Sequence, residues 1–301
     1  MRSLTIVGII FLSALASVAS AQVGDDDHVL PADDAALEAA WGDLETERAD
    51  QITTRNMHGV VRAIHKYIEA NGTFPPAQVA NDELPADKRL SGLVLLLPYL
   101  GEATRLHDGD EGPAIFDPAF AAKAKELYES IDLTKAWDDP VNLEAARTLV
   151  PAFLIPGATA IRDENGLAVS HVGFVLGAAG EGTGVFFGAP RSIADITDGT
   201  VQTLAIGQIH EQPGPWIAAG SSTARFVFHP DSETGEPTFS GEDTAGCFFA
   251  NCDSSSYFRA FSEIDSETLA ALAAYADGTY VFDQKIGRYQ GKHDFQEKQG
   301  R

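Results

Sequence analysis

Residues 91–107, SGLVLLLPYLGEATRLH, decide how this chain can fold. Their apolar run, residues 93–97, does not alternate with polar residues as a half-exposed strand does, and it is far shorter than the roughly 20 residues of a membrane span. Other parts of the protein must therefore cover it on all sides. We predict a short buried helix or strand over residues 91–97 and a short helix over residues 98–107.

Helical patterns lie on both sides of this stretch. Apolar residues at helical spacing run through residues 35–70, and Asn71-Gly72 ends the pattern because Gly readily adopts positive φ. One face of this helix collects apolar side chains, namely Met57, Val60, Val61, Ile64 and Ile68. Two further helices are predicted over residues 118–131 and 143–149.

From residue 152 onward, short apolar runs alternate with turns. The runs PAFLIP, AVSHVGFVLG, GVFFG, VQTLAIGQI, ARFVFH and GCFFAN indicate an antiparallel sheet. SETLAALAAYA predicts a final helix that begins at Asp265 or Ser266. Because the helices precede the strands, the fold class is predicted to be α+β, with one domain over residues 35–276 and a polar, frayed C-terminal tail over residues 277–301.

Charge and composition exclude some classes of partner. The chain has 301 residues, 44% of them hydrophobic, and a formal net charge of −23 from 44 acidic and 21 basic residues. Such a surface repels phosphate backbones, so we expect no nucleic-acid partner.

The N-terminus has the pattern of a secretory signal peptide. Arg2 is followed by a short apolar segment and by Ala19-Ser20-Ala21, which predicts cleavage between Ala21 and Gln22. The alternative is a retained membrane anchor. Cleavage predicts an extracytoplasmic protein, periplasmic or secreted, without stable membrane insertion. Residues 22–34 then form an acidic, flexible segment.

Three stretches resemble the start of a catalytic or ligand-binding motif, but each motif is incomplete. GEGTG (residues 180–184) lacks the Lys of a phosphate loop, HEQPG (210–214) lacks the second zinc-binding His, and DGDEG (108–112) lacks the spacing of a calcium loop. His65 is interpreted as a buried, hydrogen-bonded side chain rather than a ligand. We therefore expect no enzyme activity, cofactor or metal.

Five stretches, in order, resemble one family over roughly residues 56–275. They are NMHGVVRAIHKYIEANGTFPPA, LVLLLPYLGE, AWDDPVN, SIADITDGTVQTLAIGQ and GPWIAAG. Together they resemble the pseudopilin-like proteins of planctomycetes that contain domain of unknown function 1559 and an H-x9-DG motif. The positions that match the family's motifs are His65, Tyr67, Pro98, Asp198, Gly199, Thr200, Trp216, Asp243 and Asp253.

The chain also departs from the family's pattern. A conventional signal peptide replaces the usual prepilin leader. In the H-x9-DG motif, Asp243 stands in place of His, Asp253 keeps the Asp, and Ser254 replaces the Gly. Gln202, Gln208 and Ile155 also replace the usual Asn, Glu and Cys.

The resemblance implies a pilin-like fold, in which a long N-terminal helix packs its C-terminal half against an antiparallel sheet. The leucine-rich segment would then lie between them, which predicts that Leu95 and Leu96 join the helix face, Phe174 and Ile206 in the core. The implied function is surface or secretion-related assembly, or contact with other exported or surface proteins. The alternative is an extracytoplasmic module that binds a small ligand or a cation.

Cys247 and Cys252 give two conflicting predictions. The family's register places residues 246–252 on one strand and Asp253-Ser254 in the turn, which holds the Cα atoms roughly 16 Å apart, too far for a disulfide. However, they are the chain's only two cysteines, lie five residues apart and belong to an exported protein. On that ground we predict a disulfide that closes CFFANC as a local loop and displaces the hairpin.

Overall fold

The structure is a computed structural model that describes residues 34, 46–101, 118–156, 160–178, 182–227, 238–241, 245–281 and 288–289. Four α-helices lie in this part of the chain: α1 (Thr46–Asn71), α2 (Pro118–Glu129), α3 (Leu143–Arg147) and α4 (Ser266–Ala273). Five 3₁₀ helices accompany them: Ala86–Lys88, Gly92–Tyr99, Pro151–Phe153, Ile193–Asp195 and Phe261–Glu263. The strands are β1 (Val169–Ser170), β2 (Val172–Ala178), β3 (Leu204–Gln208), β4 (Gly214–Pro215), β5 (Ala224–Val227), β6 (Gly246–Asn251), β7 (Ser256–Ala260) and β8 (Arg288–Tyr289).

Helix α1 is amphipathic, as its sequence predicts. Its predicted apolar face is buried at every position from Met57 to Ile68. The helix ends at Gly72, which has a φ of +79° and donates its backbone N–H to the carbonyl of Ile68 at 2.7 Å. Residues 35–45 of the predicted helix lie outside the described residues.

The leucine-rich stretch is a 3₁₀ helix, Gly92–Tyr99, so the helical alternative is confirmed over the strand. The Ser91 hydroxyl caps it by accepting a hydrogen bond from the Leu93 N–H at 3.1 Å. All of its leucines and Val94 are buried except Leu95, which is only half-buried, so the core prediction was wrong for that residue. Pro98 lies in its last turn, and residues 102–107 lie outside the described part.

The main sheet has the strand order β5-β2-β3-β6-β7-β8, and β1 pairs with β4 in a separate two-stranded sheet. The pairs β2–β3, β3–β6, β6–β7 and β7–β8 are antiparallel, but β5 runs parallel to β2. The predicted antiparallel sheet is therefore a mixed sheet. The connection after β3 carries the chain to the far side of β2, so β5 starts at the end of the sheet where β2 starts.

Two apolar runs that were predicted as strands are not strands. PAFLIP contains the 3₁₀ turn Pro151–Phe153, and residues 185–188 of GVFFG form turns and bends. Both runs are nevertheless largely buried, because Phe153, Val185 and Phe186 all belong to the main core. Their apolar character reflects burial alone, and a short apolar run does not distinguish strand from buried turn.

The two faces of the sheet are covered by different helices. Helix α1 packs on β3, β6 and β7, where Ile206 and Phe248 join Ile64 and Leu96 in one core. Helix α4 packs on β2, β3 and β5 over a second core that contains Val175 and Phe249. The leucine-rich 3₁₀ helix packs against α1 on the first side, and Leu93, Leu96 and Leu97 join that core. Layered packing therefore covers the stretch that decides the fold.

The cysteines are free and buried, so the disulfide prediction was wrong. Side chains alternate along β6, which sends Cys247 into the core under α4 together with Phe249. Cys252 follows the end of β6 and belongs to the core under α1. The two thiols therefore lie on opposite faces of the sheet. The pairing of Ala250 with Ser256 shows that a hairpin forms here instead, with Cys252-Asp253-Ser254 as its loop, one residue longer than the Asp253-Ser254 turn of the family's register.

Ordered structure continues past residue 276, where the predicted domain ends. The carboxylate of Asp198 accepts hydrogen bonds from the N–H groups of Asp277 and Gly278 at 2.8 and 2.9 Å. Val281 is buried, and β8 extends the sheet beside β7. In the described part of the chain, no helix combines the length and the apolar character that a membrane span needs.

Candidate functional site

Several family-motif positions meet where the β6–β7 hairpin turn contacts α1 and the loop before β3. We call this region the helix–hairpin seam and define it as His58, Arg62 and His65 of α1, Thr200, and the turn residues 251–255. On α1, the three seam residues lie one turn or two apart, on a stripe beside the buried apolar face. The seam therefore links the helix layer to the sheet.

The turn itself is a three-residue hairpin loop. The Ser254 N–H donates to the Asn251 carbonyl at 3.0 Å, and the Asn251 N–H donates to the Ser255 carbonyl at 2.8 Å. Ser254 has a φ of +71°, the left-handed position where such loops usually carry Gly. Asp253 Oδ1 accepts from the N–H and hydroxyl of Ser255 at 2.9 and 2.5 Å. Asp253 and Ser254, the two positions that resemble the end of an H-x9-DG motif, are therefore both residues of this turn.

The TDGT stretch fastens this turn to the sheet. Asp253 donates its N–H to the Thr200 carbonyl at 3.2 Å, and Cys252 donates to the Thr203 carbonyl at 2.8 Å. Gly199 adopts a φ of +95°, and the Asn251 side-chain amide donates to the Val201 carbonyl at 2.9 Å. Each of these bonds has a backbone carbonyl as its acceptor. Together they fix the position of the turn against the loop before β3.

Two histidines of α1 face the turn. His65 Nε2 lies 2.6 Å from the Cys252 carbonyl oxygen, and because a carbonyl only accepts, Nε2 carries the proton. The interpretation of His65 as hydrogen-bonded is confirmed, although it is only half-buried. Burial lowers the pKa of His58, the positive charge of Arg62 lowers it further, and the Asp253 carboxylate opposes both. The net effect favours the neutral form of His58.

The remaining motif positions lie elsewhere in the fold. The Tyr67 and Tyr99 rings pack edge to face at 6.1 Å beside Pro98. Trp216 is fully buried and donates its Nε1–H to the Thr148 carbonyl at 3.0 Å. Asp243, Ala21 and Gln22 lie outside the described residues. The sequence motifs thus divide between the seam and the supporting core.

The sequence analysis missed a buried cation, Arg225 of β5. Its guanidinium donates to four backbone carbonyls at 2.7 to 2.9 Å, those of Ser221, Glu211, Gln212 and Thr238. Burial lowers its pKa to about 10, which the Glu211 carboxylate opposes. These bonds hold the HEQPG segment as a loop. The only hint in the sequence is an Arg inside the apolar run ARFVF.

A buried histidine was also missed. His171 Nδ1 accepts from the Ile155 N–H at 3.1 Å, and Nε2 donates to the Ala160 carbonyl at 2.7 Å. This pairing requires the neutral Nε2–H tautomer. The pKa of His171 is lowered from 6.5 to about 4, chiefly by burial; the bond to Ala160 opposes this shift, and nearby His210 adds to it.

A cleft of about 410 Å³ opens between α2 and the segment that leads into Pro151–Phe153. Phe120, Leu127 and Leu149 supply apolar walls, while Asp34 and Lys123 supply charge. The Asp34 carboxylate also accepts from the Leu149 N–H at 3.3 Å and from Arg162 Nη2 at 3.2 Å. The cleft is separate from the seam and contains none of the family-motif positions.

The fold and the seam define a mixed α/β protein in which a hairpin turn is bonded to the loop before β3 through backbone groups and to a long helix through the His65 side chain. Within the described ranges, no three His, Cys, Asp or Glu side chains are grouped to hold a metal ion. No protein-family model, curated protein or solved structure matches this chain.

Proposed function

We propose that this chain is an exported, pseudopilin-like protein that acts through contact with other exported or surface proteins. The observation that carries the proposal is the seam. There His65, Thr200 and Asp253 are engaged in hydrogen bonds that join helix, loop and hairpin. Residues engaged in this way stabilise a defined surface, which is the requirement of a protein that acts by contact.

The packing of α1 on the sheet supports the pilin-like part of the proposal. A pilin-like fold needs a long helix whose C-terminal half packs on a sheet, and the α1 residues from Met57 to Ile68 do so here. Ser254 in the left-handed turn position adds support, because the resembling family carries Gly there.

Fractionation and cross-linking of the native protein test this function. We expect the full chain, expressed in its own host, to appear outside the cytoplasm with a mature N-terminus at Gln22. A lysine-reactive cross-linker should then join it to exported or surface proteins, identified by mass spectrometry. Recovery in the cytoplasm with Met1 retained, or reproducible cross-linking to cytoplasmic proteins alone, would contradict the proposal.

The cleft favours a second candidate function, the binding of a small extracytoplasmic ligand. Thermal unfolding in the presence of single cations or sugars would detect it, since a ligand that binds only the folded state raises the melting temperature. Lys123→Glu, which reverses a charge on the cleft, should change any such shift and should enlarge it for a cation, because the new carboxylate attracts positive charge. Lys125→Glu is the matched control, because Lys125 is exposed on the same helix and does not line the cleft.

A further inference from the structure

A surface loop of this strongly acidic protein is almost free of charge. Residues 182–194, GTGVFFGAPRSIA, contain a single charged side chain, Arg191, in a chain of which 22% of residues are charged. Phe187 and Ile193 of this loop are 42% and 45% exposed, among the few large apolar side chains with that exposure in the described part of the chain. We call this loop, together with Asp195, the Phe187 platform.

The platform is held rigidly from below. Phe186 stacks on Phe174 with ring centroids 4.4 Å apart and meets Phe74 edge-on at 5.6 Å. The Phe74 N–H donates to the Arg191 carbonyl at 2.6 Å, and the Tyr275 N–H donates to the Thr183 carbonyl at 3.2 Å. A preordered surface loses little conformational entropy when it binds, which favours association.

The platform's end is fixed by a reciprocal cap. The backbone N–H and the hydroxyl of Ser192 both lie within hydrogen-bonding distance of the Asp195 carboxylate, at 2.7 and 2.9 Å. The Phe187 ring lies over the backbone of Gly182, so closely that a Cβ at Gly182 would overlap it, and packs 5.8 Å from the ring of Phe226 in β5. Phe187 and Ile193 are thus exposed on a fixed support.

The charge around the platform is negative. The Arg191 guanidinium lies 4.1 Å from the centre of the Tyr275 ring, which covers the loop's only cation. Asp195 directly follows the loop and is exposed, and Asp277 is exposed two residues after Tyr275, which contacts the loop. A second copy of this chain would bring two net charges of −23 together, so self-association is disfavoured. A basic partner matches both these two acidic side chains and the charge of the whole molecule.

We propose that the Phe187 platform is the docking surface for a basic, apolar segment of a partner protein, with Phe187 and Ile193 as anchors and acidic side chains that pair with Lys or Arg. This inference rests on the proposed contact function and specifies the partner's chemistry. Aromatic and aliphatic anchors at the centre with charge at the rim are the usual arrangement of a protein interface.

Synthetic peptides test the platform on the intact protein. A peptide that alternates Leu and Lys is the probe, and a Ser-Lys peptide of the same length and charge reports purely electrostatic attraction. Affinities are measured by isothermal titration at about 0.15 M salt, where exposed charges act over roughly 8 Å. We expect the Leu-Lys peptide to bind about tenfold more tightly than the Ser-Lys peptide.

Charge-neutral variants locate the binding surface. Phe187→Ser combined with Ile193→Ser should weaken Leu-Lys binding about tenfold. Ile193→Ser alone should weaken Leu-Lys binding less than the double variant does. This single variant replaces the double variant if the double variant unfolds, because Phe187 also packs on Phe226. Val141→Ser is the matched control, because Val141 is 51% exposed and lies outside the platform.

The outcomes test the platform and the proposed contact function separately. Equal binding of the two peptides, or an equal effect of Val141→Ser and the platform variants, overturns the platform. The proposed function then stands if exported partners still cross-link, at a different surface. Exclusively cytoplasmic cross-linked partners overturn the proposed function, and the inference falls with it.

Discussion

Ser254 occupies a backbone conformation that residues with a Cβ atom adopt at a cost. Its φ of +71° lies in the left-handed region, which is roughly 1–2 kcal/mol less favourable than the right-handed region for such residues. Gly has no such penalty, although it loses more conformational entropy on folding. The hairpin forms with Ser because neighbouring bonds to Asn251, Thr200 and Thr203 determine the turn.

Ser254→Gly should therefore stabilise the protein, by about 0.5–1 kcal/mol after the entropy of Gly is subtracted. Urea unfolding of the variant and the native protein measures the difference. Ser255→Gly is a control in the same turn and should destabilise, because the Ser255 hydroxyl is within hydrogen-bonding distance of Asp253 and Asn251. A Ser254→Gly protein that unfolds at lower urea would show that the turn does not strain this residue.

His171 is the second residue whose environment has a measurable consequence. Its two nitrogens are satisfied only in the neutral form, since a proton on Nδ1 would oppose the Ile155 N–H. Its pKa is about 4 in the folded protein, against an ordinary value of 6.5. The unfolded chain therefore binds a proton at a pH where the folded protein does not.

Because the folded-state pKa is depressed, the stability that neutral His171 confers is complete above pH 6.5 and is lost as the pH falls towards 4. The slope from this group is at most about 1.4 kcal/mol per pH unit. Urea unfolding at pH 7, 6 and 5 should show it. In His171→Gln, which cannot titrate, the slope should be smaller, and an unchanged slope would assign the acid sensitivity to other groups.

At the scale of elements, α1 holds the two layers together. Its apolar face enters the core with the leucine-rich 3₁₀ helix, and its polar stripe makes the seam with the hairpin. The Asn56 side-chain amide also donates to the carbonyls of Pro151 and Leu154 at 2.9 and 2.8 Å. One helix thus contacts three separate elements, so a cavity beneath it should weaken them all.

Ile64→Ala should destabilise the protein by roughly 2–5 kcal/mol, because Ile64 is fully buried and the change leaves a cavity. Chemical denaturation measures this difference. Gln51→Ala on the exposed side of the same helix is the control and should change stability by no more than about 0.5 kcal/mol. A similarly small effect of Ile64→Ala would contradict the observed packing of α1.

At the scale of the whole molecule, net charge opposes compaction. The chain of 301 residues has a formal charge of −23. Folding brings these like charges closer together, so their repulsion is stronger in the folded state than in the unfolded state. The described ion pairs are surface pairs, such as Lys66 with Glu69 and Arg162 with Asp34, and such pairs contribute little stability. Screening of these charges by added salt should therefore stabilise the folded state.

Raising sodium chloride from about 0.02 to about 0.2 M should increase the melting temperature at pH 7, because the Debye length shortens to below roughly 10 Å. Differential scanning calorimetry measures the change. Near pH 4.5, the isoelectric point of the sequence, the same salt step should have little effect. A decrease at pH 7 would mean that attractive ion pairs outweigh the net repulsion.

The sequence alone determined the elements whose signals are local. The 3.6-residue period of α1 and its Gly72 stop, the helices α2 and α3, and the Asp265 cap of α4, which accepts from Thr268 at 2.7 Å, all depend on neighbours within a few positions. Local geometry and turn chemistry act before any distant contact is made.

Only the tertiary structure decided the strand pairings, buried polar contacts and side-chain neighbours that involve residues far apart in the chain. The parallel pairing of β5 with β2, the burial of Arg225 among four carbonyls and the tautomer of His171 each need partners that no local pattern names. The cysteines show the reason most clearly. Their spacing favours a bond, yet strand alternation with a helix on each face of the sheet directs Cys247 and Cys252 into different cores. Long-range packing, rather than proximity in sequence, determines which side chains meet.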